Sequence, residues 1–321
     1  MTLVTGGTGF IGSHLLQKLS AIGEPVRALA RPRRTSPSFP TGVEHVEGDL
    51  VTGQGLSEAL RDVDTVIHLA GVTKALHPRD YYTGNVQATE TLARALQGRS
   101  TRLVHVSSLA AIGPSAGNTP VQEDDDAHPL THYGKSKLEA ERIARKLAPD
   151  AVIVRPPVVY GPRDTDVFQL LKSISKGLVL EISGGERWFS AIYVQDLADG
   201  LIAAARTPSA VGRAYFLAHA KPACWTELGS VAARVMHKRP RVIRIPLPLA
   251  HCAGYFAELW SRVTRVPGII SREKITEARC AAWVCDSRRA AAELNFTAAT
   301  SLETGLARTL EWYKEAGWLN Y

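Results

Sequence analysis

The sequence has few cysteines and no long apolar run. Its 321 residues include four cysteines, which form no C-x-x-C pair and have no histidines at zinc spacing, so we interpret them as reduced thiols and predict no metal site. No stretch approaches the ~20 apolar residues of a membrane-spanning helix. The first predicted strand begins at residue 2, which leaves no room for a signal peptide. We therefore expect a cytoplasmic protein without a transmembrane span. The cysteines are Cys224, Cys252, Cys280 and Cys285.

The charge pattern lacks the features of a nucleic-acid-binding protein. The net charge of +7 comes from 38 Lys and Arg against 31 Asp and Glu, but the basic residues are scattered and no aromatic run is interleaved with them. We expect no nucleic-acid partner and interpret the excess as solubility and affinity for anionic ligands. The length and the 45% of hydrophobic residues suit one large domain, or one domain with a smaller lobe.

The first residues predict a strand, a glycine-rich turn and a helix. Leu3 and Val4 fit a buried strand, and apolar residues at helical spacing run from Ile11 to Gly23. The glycines between them match the dinucleotide patterns G-x-G-x-x-G and G-x-x-G-x-x-G, in which glycine permits a tight turn and close approach of the backbone to a pyrophosphate. The N–H groups at the helix start would then bind phosphates. The glycines are Gly6, Gly7, Gly9 and Gly12.

The second predicted strand, residues 25–31, is followed by a segment without carboxylates. In an NAD site a carboxylate about 20 residues beyond the glycines binds the ribose hydroxyl. No Asp or Glu occurs between Pro25 and Val43. The segment instead carries the arginines Arg27, Arg31, Arg33 and Arg34, which suit a 2′-phosphate. A solvated basic loop is the alternative interpretation. The pattern favours NADP as cofactor, with NAD as the second choice.

Further buried segments predict parallel strands, whose carboxyl ends lie at one ligand-binding edge of the sheet. They are residues 44–50, 65–71 and 102–108, with 179–196 and 212–217 also expected to return to the sheet. Asp49 fits either a contact with an adenine amino group or a plain turn. We interpret His68 as a core histidine and Asn85 as the N-cap of the next helix.

A predicted helix over residues 131–147 carries Tyr133 and Lys137. The i, i+4 spacing places both side chains on one helix face, about 6 Å apart at Cβ. A nearby ammonium favours the phenolate, so we expect the pKa of Tyr133 to be lowered from its ordinary value of ~10. In such a pair the tyrosine can act as a general acid/base, and the lysine can adjust the pKa of the tyrosine. A chance pair is the alternative, because any helix can carry this spacing.

Together these motifs resemble the extended short-chain dehydrogenase/reductase superfamily, also called the NAD-dependent epimerase/dehydratase family. The resemblance rests on the glycine turn, on Ser107-Ser108, on residues 133–137 and on the segment RPPVVYGP at 155–162. It implies an α/β fold, a Rossmann-type doubly wound parallel sheet with a smaller C-terminal substrate lobe. The NAD(P)-binding domain would comprise residues 1–155 and about 191–219, and the lobe residues 156–190 and about 220–321. We also expect a homodimer.

The resemblance implies roles for individual residues. Tyr133 would exchange the proton with the substrate oxygen, and Lys137 would bind the nicotinamide ribose and lower the pKa of Tyr133. Ser108 would hold the carbonyl; it is preferred to Ser107 because it stands five residues before Gly113. Arg31 matches the position that NADP-preferring members use. The cofactor-binding residues implied are Gly6, Gly9, Phe10, Ile11, Gly12, Arg31, Asp49, Leu50, Leu69, Ala70, Gly71, Tyr133, Lys137 and Pro156.

The second half of the chain bears on the substrate. Nucleotide-sugar members carry a diphosphate-binding arginine where this chain has Phe189, and an Arg-x-Gly-Asp element that is missing here. Arg187 or Arg163 could substitute, which keeps that class open. Residues 247–270, with Phe256 and Trp260 on one helical stripe, fit a lobe core or a hydrophobic pocket or lid.

The C-terminal part, which ends with ELNF at 293–296 and EWY at 311–313, resembles the 3β-hydroxysteroid dehydrogenase and dihydroflavonol reductase branch. We therefore predict an NADP-dependent oxidoreductase that interconverts a ketone and a secondary alcohol on a hydrophobic substrate, such as a steroid-like, flavonoid-like or β-keto lipid molecule. One alternative is a nucleotide-sugar 4-epimerase or dehydratase with retained NAD(P). The other is a non-catalytic NADP-binding or sensor protein.

Overall fold

The computed structural model describes residues 1–32, 39–117, 119–249 and 272–321, together with residues 252, 253, 255 and 264. Its strands are β1 (Thr2–Thr5), β2 (Val26–Ala30), β3 (Val43–Glu47), β4 (Thr65–His68), β5 (Arg102–Val106), β6 (Val152–Val154), β7 (Val158–Tyr160), β8 (Leu178–Ile182), β9 (Trp188–Phe189), β10 (Ala191–Tyr193), β11 (Ala214–Tyr215), β12 (Ala223–Cys224), β13 (Arg241–Ile245) and β14 (Ala282–Trp283).

Helices alternate with the strands along the chain. They are α1 (Phe10–Ala21), α2 (Leu56–Ala59), α3 (Pro78–Tyr81), a π-helical segment (Tyr82–Gln87), α4 (Ala88–Leu96), α5 (His132–Leu147), α6 (Asp166–Ser175), α7 (Val194–Arg206), α8 (Trp225–Val235), α9 (Arg272–Ala278), α10 (Arg288–Leu294) and α11 (Leu302–Glu315).

A parallel sheet of seven strands forms the centre of the fold, in the order β11-β6-β5-β4-β1-β2-β3. Successive side chains of a strand point to opposite faces, so Val4 packs with α1 and α7 while Leu3 packs with α2 and α4. Because helices cover both faces, the inner strands are nearly continuous apolar runs, whereas the edge strand β3 is largely exposed. The predicted doubly wound Rossmann-type sheet is confirmed, and β11 lies within the segment 212–217 that was expected to join it.

The prediction that residues 179–196 return to this sheet is wrong. Strands β8, β9 and β10 pair instead in small separate sheets, β8 with β13, β9 with β12 and β14, and β10 with β7. The departure follows β6, where Pro156 and Pro157 have no N–H groups to donate to a continuing ladder. A second core, formed mainly by α6, α8 and α11, lies beneath these small sheets.

A buried ion pair joins α5 to the end of β6. Arg155 Nε donates to Glu141 Oε1 at 3.0 Å, and Nη2 donates to Glu141 Oε2 at 2.7 Å. Arg155 Nη1 also donates to the carbonyl of Glu123 at 2.7 Å. The two side chains are only 6% and 2% exposed, so both charges depend on these partners.

His14 joins α1 to the loop after β7. Its Nε2 lies 2.7 Å from the carbonyl oxygen of Pro162 and must donate, because that oxygen can only accept. Burial lowers the pKa of His14 and favours the neutral ring, in which Nδ1 accepts from Gln195 Nε2 at 2.9 Å. The helix that begins at the glycine turn is thus bonded to the chain that leads into α6.

In the described part of the chain, no helix is long and apolar enough to cross a membrane.

Candidate active site

The glycine turn lies at the carboxyl end of β1, next to the end of β4. Gly6 has a φ of +74°, and a Cβ there would lie 2.7 Å from Ala70 N. A Cβ on Gly12, in the first turn of α1, would lie 2.8 Å from the carbonyl carbon of Gly6 and closer still to its oxygen. Gly9 is exposed and precedes α1, where no side chain caps the helix start. The crowded backbone therefore requires Gly6 and Gly12, and the cradle fits the pyrophosphate of a dinucleotide.

The adenine side of the cradle lies at the ends of β2 and β3. Arg31 directly follows β2 and is exposed. Oδ1 of Asp49 accepts from Val51 N at 2.6 Å and from Thr52 N at 3.3 Å. These bonds stabilise a turn, which is one of the two roles predicted for Asp49. Leu50 beside it is buried.

The other arginines of the predicted basic segment are not placed at a phosphate site by the structure. Arg27 is buried, donates to Glu44 Oε2 at 2.9 Å and to the carbonyl of Arg61 at 2.6 Å, and so stabilises the sheet rather than a phosphate site. Counting Arg27 among the phosphate-binding arginines was therefore wrong. Arg33 and Arg34 lie outside the described residues.

The structure brings Ser108, Tyr133 and Lys137 together at the carboxyl ends of β4 and β5. The Ser108 hydroxyl lies beside the phenol of Tyr133, whose pKa it lowers, and it accepts from Ala110 N at 3.1 Å. Lys137 Nζ donates to the carbonyl of Val106 at 2.7 Å. A Cβ on Gly71 would lie 3.8 Å from that Nζ. The neighbouring hydroxyl of Ser107 is buried and has no partner within the described residues. The arrangement thus places Ser108, and not Ser107, beside Tyr133.

The pKa of Tyr133 is shifted in the direction opposite to the one predicted from the sequence. Burial raises the pKa of Tyr133, and this effect exceeds the lowering by the Ser108 hydrogen bond and the Lys274 charge. Burial lowers the pKa of Lys137 to about 8, opposed by the charge of Glu141. The prediction that the protein's own lysine lowers the pKa of Tyr133 is therefore wrong for this arrangement, because desolvation of the phenolate dominates. The phenol remains protonated at neutral pH and is able to donate a proton.

Asn85 is a positioning residue that the sequence analysis misassigned. It lies inside the π-helical segment and is not an N-cap. Its Oδ1 accepts from Val72 N at 2.7 Å, and its Nδ2 donates to Val72 O at 3.1 Å and to Ser136 Oγ at 2.8 Å. Ser136 Oγ in turn donates to the carbonyl of Tyr133 at 2.7 Å. Asn85 therefore fixes the loop after β4 to the helix that carries Tyr133.

Helix α9 caps the start of α5 from a distant part of the chain. Thr131, the N-cap of α5, accepts from Gly134 N at 3.1 Å. Glu273 Oε1 accepts from His132 N at 2.6 Å, and Glu277 Oε1 accepts from Thr131 Oγ1 at 3.3 Å. Carboxylates at a helix N-terminus are favourable because of the helix dipole. The two contacts hold α9 against the first turn of α5, beside Tyr133.

Of the two arginines that could replace the missing diphosphate clamp, Arg187 is used by the fold. Phe189 is buried and stacks on Trp225, with ring centroids 4.4 Å apart. The guanidinium of Arg187 donates to the carbonyls of Ala278 at 2.6 Å, Ile182 at 2.6 Å and Ser183 at 3.0 Å. Arg187 is therefore committed to the fold and cannot replace the missing clamp without losing these bonds, whereas Arg163 is exposed.

Other predicted features fall outside this constellation. His68 is a core histidine as predicted, bonded to Thr5 Oγ1 at 2.7 Å and Thr89 Oγ1 at 3.1 Å, and burial lowers its pKa to about 3. Phe256 and Trp260 of the apolar stripe lie outside the described residues. All four cysteines are free thiols. Among the described residues, no group of three or more His, Cys, Asp or Glu is placed to hold a metal ion.

Comparison with known proteins agrees with this geometry. Residues 2–218 match the model of the NAD dependent epimerase/dehydratase family. The chain is 33% identical to a ceramide reductase of Caulobacter vibrioides, over 98% of this chain and 95% of that protein. It is 32% identical to a 4-hydroxy-2-methyl-3-oxo-4-farnesyl-3,4-dihydroquinoline-1-oxide ketoreductase of Stigmatella aurantiaca, over 81% of this chain and 80% of that protein.

Among solved structures, MoeE5 in complex with UDP-glucose and NAD superposes with a TM-score of 0.78 at 26% identity, covering 98% of this chain and 99% of that one. The family model covers more than half of the chain, and the glycine cradle described above fits the nicotinamide dinucleotide that the family uses. The chain therefore belongs to the NAD-dependent epimerase/dehydratase family and is an NAD(P)-dependent enzyme of the extended short-chain dehydrogenase/reductase type.

Proposed function

We propose that this enzyme is an NADP-dependent oxidoreductase that interconverts a ketone and a secondary alcohol on a hydrophobic substrate. The observation that carries the proposal is the convergence of Ser108, Tyr133 and Lys137 beside the glycine cradle. In this proposal the first turn of α1, including Phe10 and Ile11, binds the pyrophosphate, and Asp49 and Leu50 contact the adenine. The residues proposed along the nicotinamide half are Leu69, Ala70, Gly71, Tyr133, Lys137 and Pro156.

The chemistry divides between the cofactor and the side chains. A nicotinamide bound in the cradle supplies or accepts the hydride. In the direction of reduction, the phenol of Tyr133 donates its proton to the carbonyl oxygen, and the Ser108 hydroxyl donates a hydrogen bond to the same oxygen. The Lys137 ammonium stabilises the tyrosinate that remains, and its bond to Val106 O fixes its position. Because burial keeps Tyr133 protonated, the site as built favours the proton-donating role.

A hydrophobic substrate is supported by the lobe and by the relatives. Phe189, which is buried and stacks on the partly exposed Trp225, occupies the place of a diphosphate-binding arginine, and Arg187 is bonded to backbone carbonyls. Two relatives that match most of this chain are a ceramide reductase and a ketoreductase for a farnesylated quinoline oxide. Both names describe reduction of molecules with long apolar parts. The substrate class proposed here is therefore a ketone joined to an extended aliphatic or polycyclic body.

We expect Arg31→Asp to reverse the cofactor preference. A charge-assisted bond between arginine and phosphate contributes roughly 1.5–3 kcal/mol, so the variant should bind NADPH about 10- to 100-fold more weakly while gaining affinity for NADH. Fluorescence titration of both dinucleotides measures the effect. Lys146→Asp, an equal charge change at an exposed site on α5, is the control and should alter neither affinity. Equal binding of NAD and NADP by the unmutated enzyme would refute the role of Arg31.

We expect the KM for ketone substrates to depend on the length of their apolar part. Each buried methylene contributes about 0.8 kcal/mol, so shortening an alkyl chain by one methylene should raise KM about fourfold while the chain still contacts the pocket. A homologous series of 3-oxoacyl esters, reduced with NADPH and followed by absorbance, provides the measurement. A KM that is independent of chain length would contradict a hydrophobic pocket.

The nucleotide-sugar alternative has its own signature. An epimerase of this fold retains its cofactor between turnovers, so dinucleotide that survives extensive dialysis, together with micromolar binding of UDP by calorimetry, would move the enzyme to that class. The proposed reductase should release its cofactor and should show no such UDP binding. The homodimer remains a prediction that gel filtration can test.

A further inference from the structure

Strands β8 and β13 form a two-stranded parallel sheet with an open outer face. Val179 points inward and is 6% exposed within the lobe core. The residues with the opposite orientation are aliphatic or basic, and among them Leu180 is 53% and Ile243 46% exposed. Residues that pair across two neighbouring strands lie on the same face of the sheet. The pairing of β8 with β13 therefore identifies the residues of the opposite face, which we call the outer strand face. This outer strand face consists of Leu178, Leu180, Ile182, Arg241, Ile243 and Ile245.

Cations surround the outer strand face. Lys176 lies just before β8, Lys238 and Arg239 precede β13, and Arg241 is the first residue of β13. Within the described chain, none of these four side chains forms an ion pair. Glu181 lies on the inner side of β8 and is 3.7 Å from Arg244, so it does not neutralise them. The surface is therefore aliphatic at its centre and positively charged at its rim.

The apolar exposure continues along the chain beyond β13. Leu249, four residues after the strand, is 60% exposed, and Val242 at the sheet edge is 52% exposed. Several exposed aliphatic side chains close together in the chain are typical of an interaction surface. Its partner must accept aliphatic side chains and carry negative charge.

We propose that the outer strand face docks the enzyme on an anionic lipid surface. The aliphatic side chains would enter the boundary between headgroups and acyl chains, and the rim cations would lie at the phosphates. A second copy of the chain fits less well, because a two-fold symmetric pairing would place each cationic rim against its own copy. This inference does not depend on the substrate, because it concerns a surface of the lobe and is tested with neither substrate nor cofactor present.

The test is flotation of the full-length protein with extruded vesicles of phosphatidylcholine alone or mixed with phosphatidylglycerol. We expect binding to the anionic vesicles that falls with added salt, and little binding to the neutral ones. Each basic residue near a membrane contributes about 1 kcal/mol, or about fivefold, so Lys238→Glu/Arg239→Glu should weaken partitioning at least 20-fold. Arg142→Glu/Lys146→Glu makes the same charge change on exposed residues of α5 and should leave binding nearly unchanged.

The apolar contribution has a separate pair of variants. Leu180→Asp/Ile243→Asp should abolish vesicle binding, whereas Ile22→Asp, at a 50% exposed position at the end of α1, should retain it. Thermal unfolding of each variant confirms that it is folded, and gel filtration reports oligomeric state. Absence of binding to anionic vesicles at low salt would overturn the proposal. So would equal weakening by the α5 control, or a dimer that Leu180→Asp/Ile243→Asp converts to a monomer while vesicle binding is unaffected.

Discussion

Tyr133→Phe should lower kcat for ketone reduction by about 10²- to 10⁴-fold, the usual contribution of a general acid/base. Dinucleotide affinity should remain nearly unchanged, because the ring still packs and only the hydroxyl is removed. The phenol lies beside the Ser108 hydroxyl, and its raised pKa keeps the proton that the substrate oxygen needs. Steady-state kinetics with a saturating hydrophobic ketone, and fluorescence titration with NADPH, measure the two effects.

Tyr81→Phe is the matched control for this variant. Its ring centroid lies 6.1 Å from that of Tyr133, and the same atom is removed in the same region. We expect it to retain most of the activity. A Tyr133→Phe enzyme that kept more than about a tenth of wild-type kcat would exclude Tyr133 as the acid/base, given the ~10²-fold minimum expected.

Arg155→Met should destabilise the enzyme by about 3–5 kcal/mol, because it leaves the buried Glu141 carboxylate without its cation. Both side chains are almost fully buried, and the guanidinium makes three hydrogen bonds to Glu141 and one to the carbonyl of Glu123. Chemical denaturation followed by circular dichroism measures the change in the free energy of unfolding.

Two further variants distinguish the loss of a buried ion-pair partner from the loss of any positive charge. Arg94→Met removes an exposed i, i+4 partner of Glu90 and should cost no more than about 0.5 kcal/mol. Arg155→Met/Glu141→Leu removes both charges and should recover much of the lost stability, because no unpaired charge then remains buried. An Arg155→Met enzyme within about 1 kcal/mol of wild type would contradict the conclusion that the buried Glu141 carboxylate depends on Arg155.

The central sheet and the main site could be predicted because their signals are local. Strands covered on both faces are continuous apolar runs, and Gly12 is fixed by crowding against Gly6 and Gly7 of the same turn. The i, i+4 spacing of Tyr133 and Lys137 on α5 is likewise readable from the sequence.

The errors arose where contacts join distant parts of the chain. Asn85 was assigned as an N-cap because a π-helical segment leaves no mark in residue spacing, and its partners are Val72 and Ser136. Arg187 was considered for a ligand, yet its guanidinium bonds Ala278, which is 91 residues away. The direction of the Tyr133 pKa shift depends on burial, which spacing does not reveal. Each of these features requires knowledge of the folded surroundings.

The contact between His14 and Pro162 has a consequence for the affinities of the dinucleotide and the substrate. His14 lies two residues after Gly12, so less than one helical turn separates the phosphate-facing start of α1 from the ring that holds Pro162. Pro162 belongs to the loop in which Asp164 accepts from Val167 N at 2.9 Å and so begins α6 of the lobe. A dinucleotide bound at the start of α1 would be coupled to this loop through His14, and by linkage each ligand would then strengthen the binding of the other by the same factor. We therefore expect the Kd of the ketone to fall when the dinucleotide is bound, and the Kd of the dinucleotide to fall equally when the ketone is bound.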